Sequence, residues 1–159
     1  MMKVEYINPF VESAINVLNE MTGIQFKRGD LSLKQSPMLT KGMVIVIGVA
    51  GQIEGRVMYD MEASTSLKIA GLMMGEEVTE FDEMVASALG ELGNIISGMA
   101  ISKLNDLGYE FDITPPTLFS GEKMQMTDPL KNVQTLVIPL YHDEVGELVV
   151  NVGLKERNK

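Results

Sequence analysis

The chain has 159 residues, no cysteine and a formal net charge of −9. That charge argues against nucleic acid and against anionic membrane surfaces, which call for clustered Lys and Arg. The absence of cysteine excludes disulfides and thiolate metal sites.

With 45% apolar residues, the length suits one domain with a real core. A single domain over 1–159, with its core at about 8–154, is expected. The first residues, MMKVEYINPF, show no basic segment followed by an apolar run. No apolar run reads as long enough to span a bilayer. A cytoplasmic chain without membrane insertion is the expectation.

Residues 8–22 predict a helix. Asn8 can cap it, Pro9 suits its first turn, and Gly23 can end it. Phe10, Ala14, Val17, Leu18 and Met21 recur at helical spacing. IQFKRGDLSLKQ (24–35) alternates loosely and predicts a strand with a turn at Gly29 and Asp30. MVIVIGVAG (43–51) and IEGRVMYDM (53–61) predict a hairpin turning near Gly51 and Gln52. Ser64 or Thr65 can cap a short helix through 72–74, which Gly75 closes.

A long helix follows over 80–107, about 40 Å at 1.5 Å per residue, and Gly108 ends it. YEFDITPPTLFSGEK (109–123) is extended, because Pro115 and Pro116 forbid a helix there. VQTLVIPLYH (133–142) and VGELVVNVGL (145–154) predict a second hairpin, turning near Asp143 and Glu144. KERNK reads as a frayed tail.

VAGQIEGRVMYDM (49–61) echoes YHDEVGELVVNV (141–152): apolar strand, polar turn, glycine, apolar strand. Helix, strand and hairpin thus occur twice, with a short helix between. The expected architecture is α/β (α+β), a pseudo-duplicated domain with long helices on a largely antiparallel β-sheet. Two unrelated hairpins would look as similar as these, so the echo alone leaves duplication open.

On the long helix, Val85, Ala88, Leu89, Leu92, Ile96 and Met99 form the core stripe. Glu80, Glu83, Ser87, Glu91, Asn94, Gly98 and Asn105 fall opposite. Ser87, Glu91 and Asn94 stand at i, i+4 and i+7, within an arc of roughly 60°. Gly90 and Gly98 border that arc, whereas Gly93 lies to the side and suits packing. Glycine is less favourable than alanine in a helix by about 1 kcal/mol. Three of them imply either close approach of another surface or a loosely packed helix.

Self-contained catalysis has little support. His142 is the one histidine and falls near a hairpin turn, where it reads as a surface residue. No Ser–His–Asp or Cys–His set can be assembled, and no GxxxxGK[ST], GxGxxG or HExxH occurs. A carboxylate and a carboxamide on one rigid face can complete the active site of another protein; the same residues also suit a solvated face. Thr114 and Thr117, beside the double proline, read as structural. Thirteen methionines read as core filling rather than as an adaptable surface.

Ser87-x3-Glu91-x2-Asn94 within LGELGNIISG, then DITPPT (112–117), then the earlier hairpin IGVAGQIEGRVMY (47–59), together resemble the CheC/CheX/FliY family of chemotaxis phosphatases. The resemblance covers about 8–154, and its single copy of the signature is most similar to the CheX branch. It implies a CheC-like fold and hydrolysis of the aspartyl phosphate of a phosphorylated CheY-like response regulator. Glu91 would pair with a regulator lysine, and Asn94 would enter the regulator's site and orient the attacking water. Ser87 would support them, and Gly90 and Gly98 would permit close docking.

The resemblance further implies no cofactor or metal bound by this chain, Mg²⁺ in the regulator's site, and a homodimer. Its alternative is a non-catalytic module that binds the phosphorylated regulator, as relatives in the flagellar switch do. Set against the long helix, residues 8–22 align Glu12 with Glu91 but Ile15 with Asn94. One site per chain is therefore expected.

Overall fold

The computed structural model describes residues 4–34, 38–127 and 134–157. Helix α1 spans Val4–Thr22, so it begins before Asn8, and Pro9 lies inside it rather than at its first turn. The cause is tertiary: Tyr6 and Ile7 are fully buried, and core packing draws the upstream residues into the helix despite the proline. Gly23 ends α1 with φ 76°, its N–H donating to Asn19 O at 2.9 Å.

Two short strands follow, β1 (Lys27–Arg28) and β2 (Ser32–Lys34), then β3 (Met38–Leu39). The expected hairpin is β4 (Met43–Gly51) and β5 (Ile53–Met61). Helix α2 spans Ala63–Met74 and closes at Gly75. Glu62, not Ser64 or Thr65, occupies its N-cap position, and without a side-chain capping bond. Helix α3 runs Glu83–Asp106. The extended stretch divides into β6 (Phe111–Ile113), β7 (Thr117–Ser120) and β8 (Gln125–Met126). The second hairpin is β9 (Thr135–His142) and β10 (Gly146–Glu156).

The tail corrects the sequence reading. Lys155 and Glu156 belong to β10, and Arg157 N–H donates to Gln52 O at 2.8 Å. Val133 and Gln35, placed in strands from the sequence, lie outside the described residues, as do Asn158 and Lys159.

All sheet pairings are antiparallel among the described residues. The main sheet runs β1-β9-β10-β5-β4-β6, with β2 also on β9 and β7 also on β4. Its centre is the β5–β10 pair, where Tyr59 faces Val150. The order is symmetric about that pair. Each half sends its edge strand across to the hairpin of the other half, and β3 pairs with β8 in the same exchanged way. Pseudo-duplication is therefore visible in the topology, where the sequence left it open. Residues 24–34 make no reversal: β1 and β2 run in succession along β9.

One face of the sheet carries the core. Ile45, Ile47, Val57, Tyr59, Ile138 and Val150 meet apolar residues of α1 and α3, including Phe10, Val17, Leu89 and Ile96. Each such side chain, fully buried, contributes about 1.5–3 kcal/mol relative to exposure. Against the expectation of no membrane-length apolar run, α3 with its 24 residues is long and apolar enough to cross a bilayer by length and composition. Its apolar stripe is instead used inside the domain, as that of a core helix.

Candidate functional site

Helix α3 starts at Glu83 because Asp82 caps it: the Asp82 carboxylate accepts the Val85 N–H at 2.9 Å. That is later than residue 80, and the cap sets where the following residues fall around the axis. Val85, Leu89, Leu92, Ile96 and Ala100 are fully buried. Met99, placed in the core stripe from the sequence, is 37% exposed. Ser97 is buried in the inner face instead, its hydroxyl 2.7 Å from that of Tyr59.

Ser87, Glu91, Asn94 and Gly98 are exposed along the outer face. Among the described residues none of the Ser87, Glu91 or Asn94 side chains is hydrogen-bonded or ion-paired within the chain. These three lie together in an open trough of about 440 Å³, also lined by Glu83, Ala86, Gly90, Pro116 and Leu118. An acid and an amide thus project from one rigid element into a concave space, with their donors and acceptors free.

The three glycines of α3 have three different surroundings. Gly93 is buried, and a Cβ there would come 2.7 Å from Ile45 Cγ2, so it serves packing, as the sequence suggested. Gly90 is also buried: a Cβ would meet Pro116 Cγ at 3.5 Å and Leu118 Cδ1 at 3.7 Å. It faces the chain's own edge strand while also lining the trough. Around Gly98 no atom lies within 4 Å of a Cβ position, and the residue is exposed.

From the sequence Pro116 enters only as a helix breaker within DITPPT, and Leu118 not at all. The available signal was the double proline: Pro cannot donate to a ladder, so it marks an edge strand or a bulge. The register bears that out. Ile113 faces Val49 and Thr117 faces Val46, so residues 114–116 oppose only Ile47 and Gly48. Thr114 closes the gap: its N–H donates to Gly48 O at 2.9 Å, and its hydroxyl oxygen accepts the Gly48 N–H at 2.9 Å.

Other candidates carry less chemistry. His142 Nδ1 accepts the Glu144 N–H at 3.2 Å, which makes it a turn residue of the β9–β10 hairpin. No cluster of three metal-ligating His, Asp or Glu side chains occurs among the described residues. A larger concavity of about 870 Å³ lies elsewhere, lined by residues such as Gln52, Tyr109 and Glu156. Two of its polar groups are engaged within the chain: Glu156 accepts from the Tyr6 hydroxyl at 3.2 Å, and Gln52 accepts the Glu110 N–H at 2.9 Å.

Glu12 is exposed on α1, with Lys103 of α3 at 3.5 Å. The structure gives a different alignment of the halves. Gly23 and Gly108 follow α1 and α3 with φ 76° and 101°. Counting back from them, Glu91 and Asn94 correspond to Tyr6 and Pro9, both buried. Under either alignment the positions of α1 that match Glu91 and Asn94 do not hold a Glu–Asn pair.

Comparison with known proteins matches residues 43–141 to the family model described as chemotaxis phosphatase CheX. The chain is 36% identical over 152 residues to the CheY-P phosphatase CheX of Thermotoga maritima, covering 95% of this chain and 97% of that one. A CheC-like superfamily protein from Shewanella sp. PV-4 superposes with a TM-score of 0.87 at 31% identity, covering 97% and 99% of the two chains. A Borrelia burgdorferi structure described as a CheX–CheY–BeF3–Mg²⁺ complex matches with a TM-score of 0.82 at 34% identity, covering 97% and 100%. The fold, the signature on α3 and these matches agree: the chain belongs to the CheX family of chemotaxis phosphatases.

Proposed function

We propose that this chain hydrolyses the aspartyl phosphate of a CheY-like response regulator by presenting the Ser87–Glu91–Asn94 face of α3 to the regulator's phosphorylated site. The observation that carries this reading is the trough itself, in which an exposed carboxylate and carboxamide on one helix lack any partner within the described chain.

Phosphoryl transfer depends chiefly on positioning and charge stabilisation. The Asn94 amide both donates and accepts, so it can hold a water in line with the phosphorus while having no basicity to offer at pH 7. The water oxygen bonds to phosphorus, the bond to the aspartyl oxygen breaks, and the products are inorganic phosphate and the regulator's free carboxylate. Glu91 pairs with a regulator lysine and sets the register of the two proteins, and Ser87 supports the contact. Mg²⁺ belongs to the regulator and offsets charge on the phosphoryl oxygens. Two copies of the chain associate as a homodimer, and the reaction takes place in the cytoplasm.

The test follows the decay of a radiolabelled phosphorylated CheY-like regulator with the chain, without it, and with Asn94→Ala. The parent shortens the phosphate lifetime. The variant returns it to the spontaneous value while still binding the regulator. Near-parental turnover by Asn94→Ala would remove the water-positioning role. Binding by the parent without any change in lifetime would replace this reading with a non-catalytic module.

A further inference from the structure

We infer that Pro116 is a specificity-determining residue for the regulator: with Leu118 it lines the same trough as Glu91 and Asn94, at a height set by the exchange between Thr114 and Gly48. The inference rests on the role of α3 proposed above and extends the site from a helix face to a composite of α3 and the β6–β7 edge.

A chain of contacts supports it. Pro115 and Pro116 have no N–H to give to β4, so the ladder must break where they stand. It breaks as a bulge, with residues 114–116 against Ile47 and Gly48 alone. Thr114 holds the bulge through its two 2.9 Å bonds to Gly48. Glycine at 48 gives Thr114 room, since a Cβ there would lie 3.1 Å from Thr114 Oγ1 and 3.2 Å from its Cγ2 and push it by a few tenths of an ångström. The bulge delivers Pro116 onto α3 at Gly90, where its Cγ lies 3.5 Å from the position a Cβ would take. Pro116 and Leu118 remain half-buried and line the same concavity as Ser87, Glu91 and Asn94.

Consequently a partner that fills the trough around Asn94 also meets the ring of Pro116. Apolar contact beside a polar pair excludes water and contributes to binding rather than to the chemical step.

The experiment measures phosphate release against the concentration of phosphorylated regulator for the full chain, Pro116→Ala, Thr114→Val and Thr114→Ser. Pro116→Ala is expected to raise the half-saturating concentration about fivefold and to leave the maximal rate within roughly twofold of the parent. Thr114→Val, which removes the acceptor for Gly48 N–H, is expected to do the same. Thr114→Ser, which keeps that acceptor, should restore the parental value. An unchanged half-saturating concentration in Pro116→Ala overturns the proposal, as does a loss confined to the maximal rate. A Thr114→Val chain that folds and saturates like the parent overturns the role of the Thr114–Gly48 exchange. If Thr114→Val fails to fold, Pro116→Ala decides alone. Asn94→Ala in the same assay reports separately on the water-positioning step, so the two readings can fail independently.

Discussion

The hydroxyls of Tyr59 on β5 and Ser97 on α3 lie 2.7 Å apart in the core. Ser97 is three residues beyond Asn94, on the buried flank of the helix. The bond therefore helps set how α3 is rolled about its axis, and with it the direction in which Asn94 and Glu91 project. Burial holds the Tyr59 hydroxyl protonated well above its ordinary range, although the bond to Ser97 acts the other way. Tyr59→Phe leaves a buried Ser97 hydroxyl unpaired and should cost about 1–3 kcal/mol in urea unfolding. Adding Ser97→Ala should recover part of that loss. Strict additivity of the two substitutions would show that the hydroxyls are not coupled.

Gly93 and Gly98 should respond in opposite directions to the same substitution. A Cβ at Gly93 meets Ile45 Cγ2 at 2.7 Å, so Gly93→Ala is expected to destabilise by about 1–3 kcal/mol through overpacking. In an Ile45→Ala background that penalty should largely vanish. Gly98 has open space around it, so Gly98→Ala should stabilise the free chain by up to about 1 kcal/mol. If the regulator approaches closely there, the same variant raises the half-saturating concentration of phosphorylated regulator. A Gly98→Ala chain that is more stable and saturates normally would remove close docking at this position.

Glu91 is exposed and has no partner among the described residues. Removing a charge that pairs across an interface weakens binding and reduces its salt dependence. Glu91→Gln is expected to raise the half-saturating concentration about tenfold, and more than Ser87→Ala does. Titrations at low and high salt check this. Equal salt dependence of parent and variant would argue against the lysine pair.

Asp60 offers a pH test away from the site. Burial raises its carboxyl above the ordinary range, against the two bonds from Lys41 N–H at 2.9 and 3.2 Å and the Lys41 charge; nearby Glu147 adds to the rise. A carboxyl raised in the folded state binds its proton more tightly folded than unfolded. Stability from this group therefore falls as pH rises from the ordinary carboxyl value through the raised one. Asp60→Asn keeps an acceptor for Lys41 and removes the charge. It should be at least as stable as the parent at pH 7, and its advantage should shrink as pH falls toward about 3.9. Urea midpoints across that range check the sign.

Local periodicity made much of the site legible. An α-helix turns 100° per residue whatever surrounds it, so Ser87, Glu91 and Asn94 had to share a face, and Val85, Leu89, Leu92 and Ile96 had to face the sheet. Both hairpins were legible for the same reason, as apolar runs on either side of Gly51 or Asp143. Contacts distant in sequence carry no such period. Only the folded chain decided that Gly90 lies beneath Pro116, that Thr114 fills a gap in the ladder, and that each edge strand crosses to the other half. It also decided that α1 begins ahead of Pro9, because the burial of Tyr6 and Ile7 outweighs a weak local cap. Spacing along the chain determines which way a side chain points, whereas pairing between strands far apart in sequence determines what stands opposite it.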